Sequence, residues 1–334
     1  MSIRVLHHES RVLSGNALGD PVGRELWVYL PPGYEESGLR YPVLWCLVGF
    51  TGAGAMAVAG NRWAPGLAER LDRLIAGGCP PVIVAFPDCF TRVGGSQYLN
   101  SAATGRYEDY VCDELVPFVD ERLRTLPRRE ARGVFGKSSG GYGTLSLAMR
   151  RPGLFAAAAC HSGDLQFEFC YVPDFARCAA RVARAGSLEK WFEEFEGTEK
   201  KKSADFAAIN TVGMAACYSP APGEPLGLAL PFDLETGAMR EEVWRRWKEN
   251  DPVEMVQRPD HARALRDLRL LYLDCGSDDE YQLHLGQRLF CRRLEERGIA
   301  HESQEFPDDH RSVSYRYDVS VPKLASVLDA AAPA

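Results

Sequence analysis

Gly133-Val134-Phe135-Gly136-Lys137-Ser138-Ser139-Gly140-Gly141-Tyr142-Gly143 is the stretch whose reading decides the fold. It places Ser138 at the centre of a G-x-S-x-G pattern. That pattern is short and recurs by chance, so its context must decide. Here an apolar run, Gly133–Phe135, leads in, and a helix is expected over Gly141–Arg150. Strand, sharp turn and helix follow in the order that lifts a serine hydroxyl above a sheet. Glycines around the turn let the two backbones pack closely. The helix N-terminus offers free N–H groups to developing negative charge. Ser138 is therefore the candidate nucleophile, and the glycine spacing is wrong for Ser139. A phosphate-binding G-x-x-x-x-G-K-[ST] loop is excluded, because Ala131 stands where its first glycine must be.

Outward from this turn the chain alternates. Val43–Val48, Val82–Phe86, Phe155–Cys160, Leu268–Asp274 and Glu302–Phe306 join Gly133–Phe135 as expected parallel strands. Most are short continuous apolar runs, as strands covered on both faces must be. Helices are expected over Trp63–Ile75, Tyr107–Leu123, Gln282–Arg297 and Val321–Ala330. Ahead of them, Ile3–His8 and Glu25–Leu30 alternate as an antiparallel edge pair, and Pro31-Pro32-Gly33 ends it. The pattern is that of an α/β fold with a mostly parallel central sheet and helices on both faces. Residues 1–334 read as a single domain.

Between residues 164 and 267 the rhythm breaks. The segment holds no convincing buried strand, only helical pieces (Ser187–Phe195, Arg240–Asn250) and a Pro/Gly-rich section. A connection this long is rarely idle. It reads as a helical and irregular, cap-like insertion over the site. Asp164, Phe232, Trp244 and Trp247, with Tyr98 from outside it, are candidate substrate-binding residues.

A serine hydroxyl needs a general base, and the base an orienting acid. In this chain order the base comes last. His310 fits, in a loop after the final strand, at the edge where open α/β sheets gather their sites. His284 and His301 read as structural. His161 follows the Phe155–Cys160 run and could line the pocket, but as the base it would break the order. The acid belongs after Leu268–Asp274, where Asp278, Asp279 and Glu280 share one loop. Spacing alone does not choose among them. For the oxyanion, the expected donors are the backbone N–H groups of Ser139 and Phe50.

Composition narrows the classes. The 334 residues are 46% hydrophobic and 25% charged, with net charge −7. That balance suits a globular chain and excludes a basic nucleic-acid binder. Ten cysteines occur with no CxxC pair and read as reduced, buried thiols. No apolar run approaches the ~18 residues a membrane span needs, and the N-terminus lacks a secretory h-region. The expectation is a cytoplasmic chain without a membrane partner. His7-His8 and the Asp278–Glu280 cluster lack H-E-x-x-H spacing, so no metal and no cofactor is expected.

Five stretches carry a resemblance: Tyr41–Gly52 (YPVLWCLVGFTG), Ser96–Leu123, Gly136–Leu145 (GKSSGGYGTL), Asp274–Tyr281 (DCGSDDEY) and Asp308–Tyr317 (DDHRSVSYRY). Through them the chain resembles the esterase D group of α/β-hydrolases. That group includes S-formylglutathione hydrolases, enterochelin-esterase-like proteins, feruloyl esterases and antigen-85 mycolyltransferases. The resemblance covers roughly residues 25–163 and 268–330 and leaves the insertion outside. It implies Asp279 as the acid and supports Phe50 at the oxyanion position. Two departures stand out: Val48-Gly49 where many members read His-Gly, and Lys137 where an apolar residue is usual. The implied activity is serine carboxylic-ester hydrolysis of a small or medium ester, through a Ser-His-Asp triad and an acyl-enzyme. An acyltransferase would use the same triad with another acceptor. A non-catalytic scaffold would normally lack a triad member, and none is missing.

Overall fold

The computed structural model describes residues 2–60 and 63–333. The strands of the central sheet are β1 (Ser2–Glu9), β2 (Gly23–Leu30), β3 (Val43–Leu47), β4 (Ile83–Pro87), β5 (Arg132–Lys137), β6 (Ala157–His161), β7 (Leu270–Gly276) and β8 (Glu302–Phe306). Their order across the sheet is β1-β2-β4-β3-β5-β6-β7-β8. β1 and β2 pair antiparallel, as does β2 with β4, and every other neighbour pair is parallel. β5, which carries the G-x-S-x-G turn, lies in the interior of the sheet. β8 is an edge strand, exposed except at Phe306.

The longer helices are α1 (Leu67–Ala76), α2 (Val116–Arg122), α3 (Ser139–Arg150), α4 (Val172–Ala185), α5 (Leu188–Gly197), α6 (Phe206–Tyr218), α7 (Glu241–Lys248), α8 (Pro259–Arg266), α9 (Leu283–Glu296) and α10 (Tyr317–Val327). Strand residues alternate between two cores. Val43, Trp45 and Val134 pack with Val119 of α2, Leu145 of α3 and Phe290 of α9 on one face. Leu44, Cys46 and Phe135 pack with Leu71 of α1 and Val321 of α10 on the other. A period of two, with apolar residues at both phases, is what burial on both faces requires. The helix expected over Tyr107–Leu123 is interrupted by a π-helical turn, Tyr110–Leu115. There the buried Glu114 accepts hydrogen bonds from the Ser10 hydroxyl and the Arg11 and Val12 N–H groups.

The segment read as an insertion divides in two. Helices α4 to α7 build a third core around Phe175, Trp191, Phe232 and Trp247. The stretch beyond them does not belong to it. Val253, Met255, Val256, Ala262 and Leu265 pack into the sheet core beside Leu145 and Phe290. α8 is thus part of the crossover from β6 to β7. The expected boundary at residue 267 ran too far, because a crossover helix shows no strand signal to mark where the extra layer ends.

All ten cysteines are free thiols, and all but Cys291 are buried. Among the described residues no helix is long and apolar enough to cross a membrane.

Candidate active site

Ser138 caps α3 with φ 59° and ψ −126°, a backbone conformation that L-residues rarely adopt. Holding a non-glycine residue there costs about 1–3 kcal/mol, offset by surrounding structure. Two contacts show what holds it. Ser138 N–H donates to the His161 carbonyl at 3.0 Å, and Tyr142 N–H donates to the Ser138 carbonyl at 2.9 Å. The glycines are required by close approach. A Cβ on Gly140 would sit 1.9 Å from the Leu47 carbonyl oxygen, and one on Gly136 would sit 2.5 Å from the Gly140 carbonyl oxygen.

His310 and Asp279 converge on this turn from the other side. His310 Nε2 lies 3.1 Å from Ser138 Oγ, and its Nδ1 lies 2.7 Å from Asp279 Oδ2. An ionised carboxylate only accepts, so Nδ1 carries the proton and donates. That leaves Nε2 of a neutral ring as the acceptor for the serine hydroxyl. Asp279 is held in turn: its Oδ1 accepts from Tyr281 N–H at 2.9 Å and Leu283 N–H at 3.4 Å. Geometry therefore separates the three acids of the loop. Asp279 faces the imidazole. Glu280 accepts the backbone N–H of His310 at 2.8 Å, and Asp278 N–H donates to the Asp308 carbonyl. The Tyr281 ring meets the His310 ring edge-on, centroids 4.9 Å apart.

Phe50 and Ser139 line one cavity of about 380 Å³ with Ser138 and His310. The Phe50 ring seats against Gly94 and against Gly213 of α6, where added Cβ atoms would fall 2.3 and 2.7 Å from it. This loop is thereby tied to the extra helical layer. The loop is held from below, where Tyr98 O–H donates to the Val48 carbonyl at 2.7 Å. Lys137 also lines the cavity. Burial pulls its ammonium below the usual lysine range, while Asp279, Glu280 and Asp309 act against that.

Of the candidate substrate-binding residues, only Asp164 lines this cavity. Tyr98 is buried behind the loop it supports. Phe232 and Trp247 are buried in the third core against Phe175. Trp247 also donates its indole N–H to Ser219 Oγ at 2.8 Å. Trp244 lines a separate depression with Glu241 and Arg258. These aromatics hold the extra layer together, the ordinary fate of large apolar side chains. The sequence reading missed Tyr171, Phe206, Asn210, Tyr281 and Arg311, which do line the cavity. All but the last two lie in the segment with no family motif, so no local pattern marked them.

His161 does not line the pocket. It sits 1% exposed, directly opposite Asp274 in the β6–β7 register. Its Nδ1 is 2.6 Å from Asp274 Oδ1 and its Nε2 is 2.8 Å from Ser320 Oγ of α10. Arg316 Nε and Tyr272 O–H each donate to Asp274 Oδ2 at 2.9 Å. Burial works to raise the Asp274 pKa, but His161 and Arg316 overcome it and hold the carboxyl below its ordinary value. The signal for this network was present: His161 closes β6 and stands level with Asp274, two residues before the end of β7.

Residues 21–321 match the family described as "Putative esterase", and the chain belongs to that family. A curated relative is the esterase Rv1288 of Mycobacterium tuberculosis, 27% identical over 306 residues. The match covers 87% of this chain and 54% of that protein, so the chain spans about half the length of the curated relatives it matches. Among solved structures, a ferulic acid esterase superposes with TM-score 0.64 at 17% identity, covering 98% of both chains. An S-formylglutathione hydrolase from Agrobacterium tumefaciens superposes with TM-score 0.61 at 18% identity, covering 98% of this chain and 95% of its own. At such identities the likeness is one of fold.

Proposed function

We propose that this protein is a serine carboxylic-ester hydrolase acting on a small or medium ester through a Ser138–His310–Asp279 triad. The observation that carries the reading is the continuous contact from Asp279 through His310 to Ser138 at a strained turn, opening into a cavity. Membership of an esterase family supports it. In this reading His310 Nε2 takes the Ser138 proton as Oγ attacks the ester carbonyl. Asp279 orients the ring and stabilises the imidazolium. The N–H groups of Phe50 and Ser139 bind the oxyanion, where one such donor is worth about 10²–10³ in rate. His310 then protonates the leaving alcohol, and water repeats the cycle on the acyl-enzyme. Helices α4 to α7 act as a cap that supplies one wall of the cavity.

The test is hydrolysis of p-nitrophenyl acetate and butyrate together with labelling by a fluorophosphonate probe. Ser138→Ala is expected to lower kcat by about 10⁴-fold or more and to abolish labelling. Full turnover by that variant would overturn the proposal. A product assay with glycerol or an amine present distinguishes hydrolysis from acyl transfer.

A further inference from the structure

Two polar side chains in the cavity are more than nine-tenths buried and lack a full set of partners. Asp164 is 7% exposed and Asn210 is 8% exposed. Asp164 Oδ2 is saturated: it accepts from Tyr171 O–H at 2.9 Å, Gln97 Nε2 at 3.1 Å and Ser139 Oγ at 3.4 Å. Among the described residues, no hydrogen bond ends on Asp164 Oδ1 or on the Asn210 side-chain amide. Burial pushes the Asp164 carboxyl up, while its hydrogen bonds from Tyr171, Gln97 and Ser139 oppose the shift. The unpartnered polar atoms of both side chains keep access to the cavity, and in so buried a place a bound donor gains more than it would in water. We infer that Asp164 and Asn210 form a hydroxyl-recognition site for the alcohol half of the ester. The inference rests on the esterase reading above.

Two features select a hydroxyl on that half. A hydroxyl donates and accepts, matching a carboxylate and an amide that line one cavity. A cation meets Lys137 and Arg311 in the same cavity. The half is chosen by His310, which must protonate the leaving oxygen and which lines this cavity. A second cavity of about 290 Å³ also reaches Ser138. Small or apolar residues such as Ala53, Met56, Ala57 and Pro65 line it, and His310 does not. The apolar acyl chain belongs there, and the hydroxyl-bearing alcohol belongs with Asp164.

The experiment compares kcat/KM for glycerol 1-monobutyrate, propyl butyrate and propyl 3-hydroxybutyrate, each normalised to its alkaline hydrolysis. The monobutyrate is expected to lead propyl butyrate by about tenfold or more, the scale of one hydrogen bond to a charged group. Asp164→Asn and Asn210→Ala are each expected to collapse that ratio toward one. Asn210 has no intramolecular side-chain partner among the described residues, so its variant keeps the test open if Asp164→Asn misfolds. A wild-type ratio near one, a ratio unchanged in both variants, a larger gain from the acyl hydroxyl, or a preference for butyrylcholine would each overturn the inference. Failure of the esterase reading looks different: Ser138→Ala would then hydrolyse propyl butyrate at the wild-type rate.

Discussion

The chain builds a serine, a histidine and an aspartate into hydrogen-bonded series twice. Ser138, His310 and Asp279 are spaced 3.1 and 2.7 Å apart, and Ser320, His161 and Asp274 are spaced 2.8 and 2.6 Å apart. By distance the second is the tighter set. What separates them is surroundings. Ser138 stands on a strained turn at a cavity, whereas Ser320 lies fully buried within α10. Asp279 serves His310 and two backbone N–H groups, while Asp274 is also bound by Arg316 and Tyr272. Triad distances alone do not make a catalyst. An accessible nucleophile and space for a substrate are required as well. The buried set acts as a brace, joining β6 at His161 and β7 at Asp274 to α10. The backbone of the same His161 accepts the N–H of Ser138.

The comparison is open to breaking at each pair of equivalent residues. The largest contrast is expected between the histidines. His310→Ala should lower kcat by about 10⁴-fold with urea stability kept. His161→Ala should instead lose about 3 kcal/mol of stability, because it leaves a buried carboxylate and hydroxyl without their partner. Its folded fraction should still take up the fluorophosphonate probe. If the two variants exchanged phenotypes, the assignment of roles would be wrong.

The aspartates sharpen the same point at smaller scale. Asp279→Asn should reduce kcat by about 10³–10⁴-fold with little change in KM, since it misorients the ring. Asp274→Asn should leave kcat of the folded enzyme within about tenfold while lowering the urea midpoint. Paired kinetics and denaturation curves check both.

The smallest expected effect is on pH. Asp274 is held below its ordinary value of 3.8 in the fold. Its contribution to stability is therefore complete above that pH and is lost as pH falls through the lower, folded value. Acid unfolding of the wild type should steepen in that window, and Asp274→Asn should flatten it. An unchanged acid profile in the variant would remove Asp274 from the account.

Much of this was legible in the chain because the signals are local. A buried strand announces itself by apolar residues at both phases, and the turn at Ser138 by glycines that only close backbone approach requires. The order serine, acid, histidine placed His310. The choice of Asp279 over its neighbours was not local: it needed the resemblance, and in the fold it depends on which carboxylate faces an imidazole thirty-one residues away. The aromatics of the extra layer misled for a related reason. Phe232 and Trp247 carry the same apolar signal whether they form a core or a pocket wall.

Sequence alone determined the layered α/β scaffold, the strand–turn–helix at Ser138 and the loop that carries His310, since each rests on spacing within a short segment. Tertiary structure decided which of two Ser-His-Asp sets meets solvent, where the extra layer ends, and that Asp164 and Asn210 face one cavity. Those outcomes depend on how distant segments pack, and a residue's own neighbours in the chain carry no record of that packing.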